Sequence, residues 1–382
     1  MIEKRTCLFA GSITLAPLTI YAAVQPTAPE AKREPIRVIF DTDIWSDIDD
    51  ALALAMLHSL EDRNEVKLLA VSISTNSKWC ASYVDLLNNF YGHGDTPIGM
   101  IKEGNDLDDF RRRFPESTFP HSRYTEIISE RKKADGSWLY PRNLTEAGTI
   151  PESVQLLRKT LVSQPDSSVV VIQVGYSTNL ARLLKSPPDT ISALDGHQLV
   201  ARKVRLLSVM GGNFQASVVD GVTLIQKGSP EANLVADIPA AQALFKRWPT
   251  PIVVSGGEIG AALPYPIKSI DRDYTYVKNH PIADTYLTYC KEQHMEENGI
   301  CMDNHRTFDL TSVLYAVRPD GNYFSLSAPG RITILNNGGS RFKESPQGQH
   351  RYLVLDETQK ARALEAMVML VSQPPPSLQT GP

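Results

Sequence analysis

Within ten residues, Asp41-Thr-Asp43-Ile-Trp-Ser-Asp47-Ile-Asp49-Asp50 gathers five aspartates between one apolar run, Ile36 to Phe40, and another, Ala51 to Leu57. Two carboxylates about 4 Å apart repel by roughly 4 kcal/mol at an effective dielectric of about 20, so such a cluster needs a cation or partial protonation. Oxygen donors alone favour a hard divalent ion, Ca²⁺ or Mg²⁺, over zinc. Asp47, Asp49 or Asp50 could instead cap the following helix, where negative charge meets the positive end of the helix dipole. Capping leaves Asp41 and Asp43 without a task, because a strand-to-helix turn needs no carboxylates there. The pattern points to a metal-binding or catalytic site.

Rigid elements must hold these groups. Strand-like apolar runs recur at Val38 to Phe40, Val66 to Ile73, Val169 to Ile172, Val204 to Met210 and Pro251 to Val254. Helix-period stretches lie between several of them, at Ala51 to Leu60, Trp79 to Tyr91, Val154 to Ser163, Thr178 to Leu184 and Ala240 to Trp248. This alternation predicts one parallel α/β sheet, whose ligands sit outside the carboxyl ends of the strands. After the aspartate cluster on the first strand come Ser74-Thr-Asn76-Ser77, Gln173-Val-Gly-Tyr-Ser-Thr-Asn179 and Gly211-Gly-Asn213-Phe214 on the next three. Each alone is ordinary turn composition. Converging on one edge, they would surround a carboxylate-held cation with amide and hydroxyl groups, which suits a polyol such as a sugar. Segment 102 to 150 is polar and rich in Arg, Gly and Pro, an excursion beside the site that is either a lid or a long surface insertion.

The 382 residues allow one large or two ordinary domains. Residues 1 to 34 read as a secretory signal peptide and linker: Lys4 and Arg5 precede an apolar stretch, Cys7 to Val24, and a polar, proline-bearing segment follows. Gly11 and Pro17 interrupt that stretch, so removal is expected rather than a stable membrane anchor, and the mature protein is expected in the periplasm or secreted. The folded body spans 35 to 372, and the tail 373 to 382, with three consecutive prolines, is expected to be disordered. With 39 basic against 43 acidic residues and no basic run longer than Arg111-Arg-Arg113, nucleic acid is not an expected partner. Without Cys7, Cys80, Cys290 and Cys301 remain, and Cys290 with Cys301 forms either one bridge or two buried thiols. Cysteine spacing and the lack of paired histidines argue against a zinc site.

The strand, aspartate cluster and Ala51-Leu-Ala-Leu helix resemble the opening of the inosine-uridine preferring nucleoside hydrolase family, Ca²⁺-dependent enzymes that cleave the N-glycosidic bond of ribonucleosides. The family's usual D-x-D-P-G-x-D-D-A is replaced here by Asp41 to Ala51, two residues longer and without the Pro-Gly. Further segments match in order as far as about Arg318. Asn76 matches an asparagine that holds ribose hydroxyls. Val174, ahead of Gly175-Tyr-Ser-Thr-Asn-Leu-Ala181, takes the place of a residue whose carbonyl ligates Ca²⁺. Glu231-Ala-Asn233, ahead of Asp237-Ile-Pro-Ala-Ala241, resembles the pair that grips the sugar. In an extended segment such side chains face one way, the alternative being a helix entrance at Ser229-Pro230. Asp309 matches the distant aspartate that completes the metal site. In many relatives a histidine directly precedes it and protonates the leaving base, where this chain has Phe308. His305, which read alone is a solvated loop histidine, or stacking on Trp45, Tyr176 or Phe308, would then serve the leaving group.

The resemblance implies an α/β fold with an open, mostly parallel, Rossmann-like sheet flanked by helices, a small-molecule riboside as substrate, and a tendency to form homo-oligomers. It implies Ca²⁺ on Asp43, Asp50, Asp309 and the Val174 carbonyl, with Asp43 as general base. Asp49, Asn76, Glu231 and Asn233 would hold the ribose, and Asp41 would support the metal ligands from behind. Two readings of other classes compete. A phosphatase of the haloacid dehalogenase type also starts with a strand and Asp-x-Asp, but needs Thr or Val where Trp45 and Ser46 stand. A secreted ribose- or nucleoside-binding protein that keeps the metal site but has lost turnover is suggested by Phe308.

Overall fold

Val, Ile and Leu dominate the runs that become the parallel strands β1 (Ile36–Thr42), β2 (Val66–Ile73), β3 (Ile98–Met100), β4 (Val169–Gln173) and β5 (Val204–Met210). They are near-continuous because both faces of the sheet are covered. Along β1, Val38 and Phe40 enter one apolar core while Ile39, between them, enters the other, the two-residue alternation of a strand. The computed structural model describes Met1 and residues 34–114, 121–144, 150–219 and 222–379; the expected signal segment lies outside the described residues.

Helices α1 (Asp49–Asp62), α2 (Lys78–Phe90), α3 (Leu107–Arg113), α4 (Tyr124–Ser129), α5 (Ser153–Val162) and α6 (Thr178–Lys185) lie among these strands in the chain. Across the sheet the strand order is Ser340–Glu344, Gly330–Ile334, His350–Val354, Ile252–Ser255, β5, β4, β1, β2, β3. Pairing is parallel from His350–Val354 to β3, and Gly330–Ile334 pairs antiparallel with both of its neighbours. The chain steps outward from β1 to β3 and then returns to place β4 on the other flank of β1. That reversal opens a crevice at the carboxyl ends of β1 and β4, the usual ligand position in such sheets.

A late helix, Phe308–Val317, is buried from Asp309 to Val317. Ser208 Oγ donates to the Ser312 carbonyl (3.0 Å) and Ser255 Oγ meets Thr311 Oγ1 (2.6 Å), tying it to the strands. At its far end Arg318 forms a two-pronged ion pair with Glu65 (2.7 and 2.8 Å), just beyond α1. These contacts fix the height of Asp309 against α1.

Several expectations are amended. The excursion at 102 to 150 carries α3 and α4, and Phe110 of α3 packs on Trp45 and Tyr176 with ring centroids 6.2 and 4.7 Å apart. The tail is not wholly irregular: Pro376–Gln379 forms a helical turn that begins with proline, and Arg63 Nε donates to Gln373 Oε1 (2.6 Å). Cys290 and Cys301 form a disulfide across a Cα separation of 5.7 Å, whereas Cys80 is a buried free thiol. Among the described residues no helix is long and apolar enough to cross a membrane.

Candidate active site

In register, Asp41 of β1 lies beside Gln173 of β4, so Asp43 and Val174 leave the sheet side by side. Gly175 makes this approach possible, since a Cβ there would collide with the Asp43 backbone nitrogen. Ser74, at the end of β2, joins the two loops: its Oγ donates to the Thr42 carbonyl (3.2 Å) and accepts from the Tyr176 N–H (3.1 Å). Ile44 sits at φ +32°, an uncommon conformation for a β-branched residue. It turns the longer loop back so that Asp50 Oδ1 accepts the Ile44 N–H (3.2 Å) and the Thr42 hydroxyl.

Helix α1 has Ile48 at its N-cap with no side-chain cap, so capping does not account for the aspartates. Carboxylate oxygens of Asp49, Asp50 and Asp309 lie within 4.8 Å of one another, all buried, and the Asp309 N–H donates to Asp49 Oδ2 (3.0 Å). Burial, followed by the charges of their neighbours, pushes Asp43, Asp49 and Asp309 well above the usual carboxylate range, and burial with Asp47 brings Asp50 to about 7. Burial also acts on Asp47, but the His305 ring outweighs it and holds that carboxyl below its ordinary value. Such a donor set fits a hard divalent cation, which would offset the repulsion directly. Asp43 lies on the same pocket as this trio, as does Val174, whose carbonyl accepts from Asn233 Nδ2 (2.6 Å) and retains a second lone pair.

The pocket has a volume of about 420 Å³, within the range of small-molecule sites. Glu231 and Asn233 line the same pocket as the aspartates. They are not on an extended segment: Glu231 caps the helix Ala232–Ala236, accepting the Asn233, Leu234 and Gly212 N–H groups (3.0, 3.3 and 3.1 Å). Burial raises Glu231 to about 7 against those hydrogen bonds.

His305, Phe308 and Tyr289 line the pocket as well. His305 is 5% exposed; its Nδ1 lies 3.1 Å from Asp303 Oδ2. Its Nε2 is 3.6 Å from Asp47 Oδ2, too long for a hydrogen bond, and has no hydrogen-bond partner among the described residues. Burial disfavours the charged ring, but Asp303 and Asp47, with Asp49 behind them, outweigh it and push His305 up to about 10. An imidazolium with one N–H anchored and the other free is a proton donor.

Three expected contacts are not brought to this pocket. Asn76 pairs with Asp106 in an isolated bridge, donates to the Lys102 carbonyl (3.3 Å) and lines a different pocket with Ser77 and Trp79. The excursion draws it away. Trp45 and Tyr176 are fully buried, the indole N–H donating to the tyrosine hydroxyl (2.6 Å), with Phe110 packed over both. Asp41 is buried behind the pocket, accepting from Asn179 Nδ2 (2.9 Å), and burial raises it to about 7. Asp47 belongs to the clustered aspartates but has no separate role in the resemblance, and Tyr289, on a helix without a motif, carries no sequence signal.

A family model described as inosine-uridine preferring nucleoside hydrolase matches residues 38–370. Among solved structures, a purine-preferring ribonucleoside hydrolase from Gardnerella vaginalis superposes with a TM-score of 0.61 at 16% identity, covering 88% of this chain and 98% of its own. A plant nucleoside hydrolase gives 0.59 at 20% identity (89% and 100% covered). An inosine-uridine preferring nucleoside hydrolase from Bacillus anthracis gives 0.60 at 15% identity (88% and 99%). No curated protein matches in sequence.

Proposed function

Because the chain belongs to the inosine-uridine preferring nucleoside hydrolase family, we propose that it is a Ca²⁺-dependent N-glycosyl hydrolase that converts ribonucleosides to ribose and free base. The observation that carries this reading is the meeting of Asp309 with Asp49 and Asp50 at the crevice between β1 and β4.

Asp43, Asp50, Asp309 and the Val174 carbonyl would hold the cation, which when bound orients and acidifies a water. Asp43 would accept the proton of the water that attacks C1′. The transition state is oxocarbenium-like, so positive charge spreads over the ribose ring beside the aspartates, where it is favoured. Asp49, Asn233 and Glu231 bind the hydroxyls of the ribose. Glu231, although engaged by three N–H groups, keeps one lone pair, on Oε1, for this. His305 Nε2 protonates the leaving base, with Asp303 orienting the ring, while Tyr289 and Phe308 supply apolar surface to the base.

Ribose release from a panel of ribosides and 2′-deoxyribosides tests the proposal. Release is expected from ribosides, to stop with a chelator, to return with added Ca²⁺, and to be far slower without the 2′-hydroxyl, since binding energy at that group serves the transition state. Ligand binding with no product would instead make the chain a binding protein.

Export is part of the same proposal. The basic and apolar start of the sequence and the Cys290–Cys301 bridge both support an oxidising compartment. Fractionation of the native cell should find a chain shortened at its N-terminus outside the cytoplasm; a full-length cytoplasmic chain would contradict this.

A further inference from the structure

Helix α1 starts in the aspartate pocket and ends in a second constellation, roughly 16 Å along the axis from Asp50 at 1.5 Å per residue. His58, Glu61 and His93 each offer a ligand atom, and these atoms lie within 4.8 Å of one another. His58 and Glu61 are one turn apart on α1, and His93 follows α2, so two separate segments meet there.

The surroundings orient both rings. His58 is fully buried, and its Nε2 lies 2.9 Å from Asn88 Oδ1. An amide oxygen only accepts, so Nε2 carries the proton and Nδ1 carries the bare lone pair. That Nδ1 has no hydrogen-bond partner among the described residues. His93 repeats the arrangement: Nε2 is 2.9 Å from Asp62 Oδ1, and Nδ1 faces Glu61 Oε2 at 3.3 Å. The rings are parallel, 5.0 Å between centroids. Glu61 is steadied from the other side, its Oε1 accepting the Leu68 N–H (3.1 Å). Imidazoles held from behind by an amide or carboxylate are the usual surroundings of metal-ligating histidines.

A protonated His93 bridging Glu61 and Asp62 would satisfy those three groups, yet it leaves the lone pair of the buried His58 Nδ1 with nothing to bond. Burial, and then His93, hold His58 down at about 3, so its ring is a neutral donor. A cation uses all the groups at once. We propose that His58, His93 and Glu61 form a second metal site, distinct from the aspartate pocket, that takes a zinc-type divalent ion with water completing a tetrahedron. Two imidazoles and one carboxylate select zinc over Ca²⁺, which prefers oxygen donors throughout. Side chains of His93 and Glu61 are 21% and 19% exposed, which provides the entry path. The ion would clasp the end of α1 to the loop between α2 and β3.

Metal-stripped full-length protein, dialysed against micromolar Zn²⁺ with excess Ca²⁺ to occupy the aspartates, should retain a single equivalent of zinc. Co²⁺ in its place should give the visible absorption of a tetrahedral site. His93→Gln and Glu61→Gln, both at the accessible edge, avoid the core defect that His58→Gln would bring. Loss of a direct ligand exceeds the 10- to 100-fold typical of losing an outer partner, so each should weaken zinc binding by about 100-fold or more, without change in ribose release. Native protein that retains no zinc, or variants that retain it as tightly as the native chain, would overturn the site.

Discussion

Asp43→Asn will lower the turnover of inosine by about 10⁴-fold, because on the proposed mechanism the change removes both a general base, worth roughly 10² to 10⁴, and a direct ligand of the cation. The side chain is 4% exposed, lines the pocket and stands among the like charges of Asp50 and Asp47. Its neutral replacement therefore relieves repulsion and fills the same volume, so the fold should persist. Steady-state ribose release together with thermal melting checks this: the expected result is a melting transition no lower than that of the native protein and turnover at the limit of detection. Turnover within tenfold of native would remove Asp43 from the mechanism, whatever the metal content.

His305→Gln separates two kinds of substrate. A purine leaves poorly as an anion and needs a proton, so turnover of inosine should fall by about 10²- to 10³-fold. Nitrophenolate leaves without one, and turnover of nitrophenyl riboside should stay within about tenfold. The charged pair with Asp47 and Asp303 holds His305 protonated up to about pH 10, against an ordinary value of 6.5. A raised value means the acid form is complete at lower pH and is lost only as pH climbs through it. The native rate on inosine should accordingly show no histidine ionisation between about pH 6 and 8. Equal losses on both substrates would reduce His305 to a structural neighbour of Asp47, and no loss on inosine would assign protonation to another group.

Much of this site was legible because its carboxylates cluster locally. Asp43, Asp49 and Asp50 lie on one strand-to-helix turn, and the strand runs around them are continuous since both sheet faces are buried. Asn76 shows the limit of that logic. It follows a strand as expected, but its position is decided by the Asp106 bridge, a contact with a segment of no clear period. Trp45 similarly has the composition of a base-stacking residue, and nothing near it in the chain reveals that Phe110 will cover it. Phe308 and His305, by contrast, do reach the pocket.

By itself the sequence determined the parallel α/β sheet, the acidic turn that leaves its first strand and, through motif order, the family. These are local properties: a two-residue or helical period is set by which side chains each short segment must bury, and a run of carboxylates repels wherever it lies. Asp309 was expected beside the cluster only through the resemblance, and the tertiary structure alone decided that His305 keeps one nitrogen free beside Asp47, that Cys290 joins Cys301, and that His58 meets His93. Each of those depends on where separate segments come to rest, and that is settled by packing over the whole core rather than by any window of the chain.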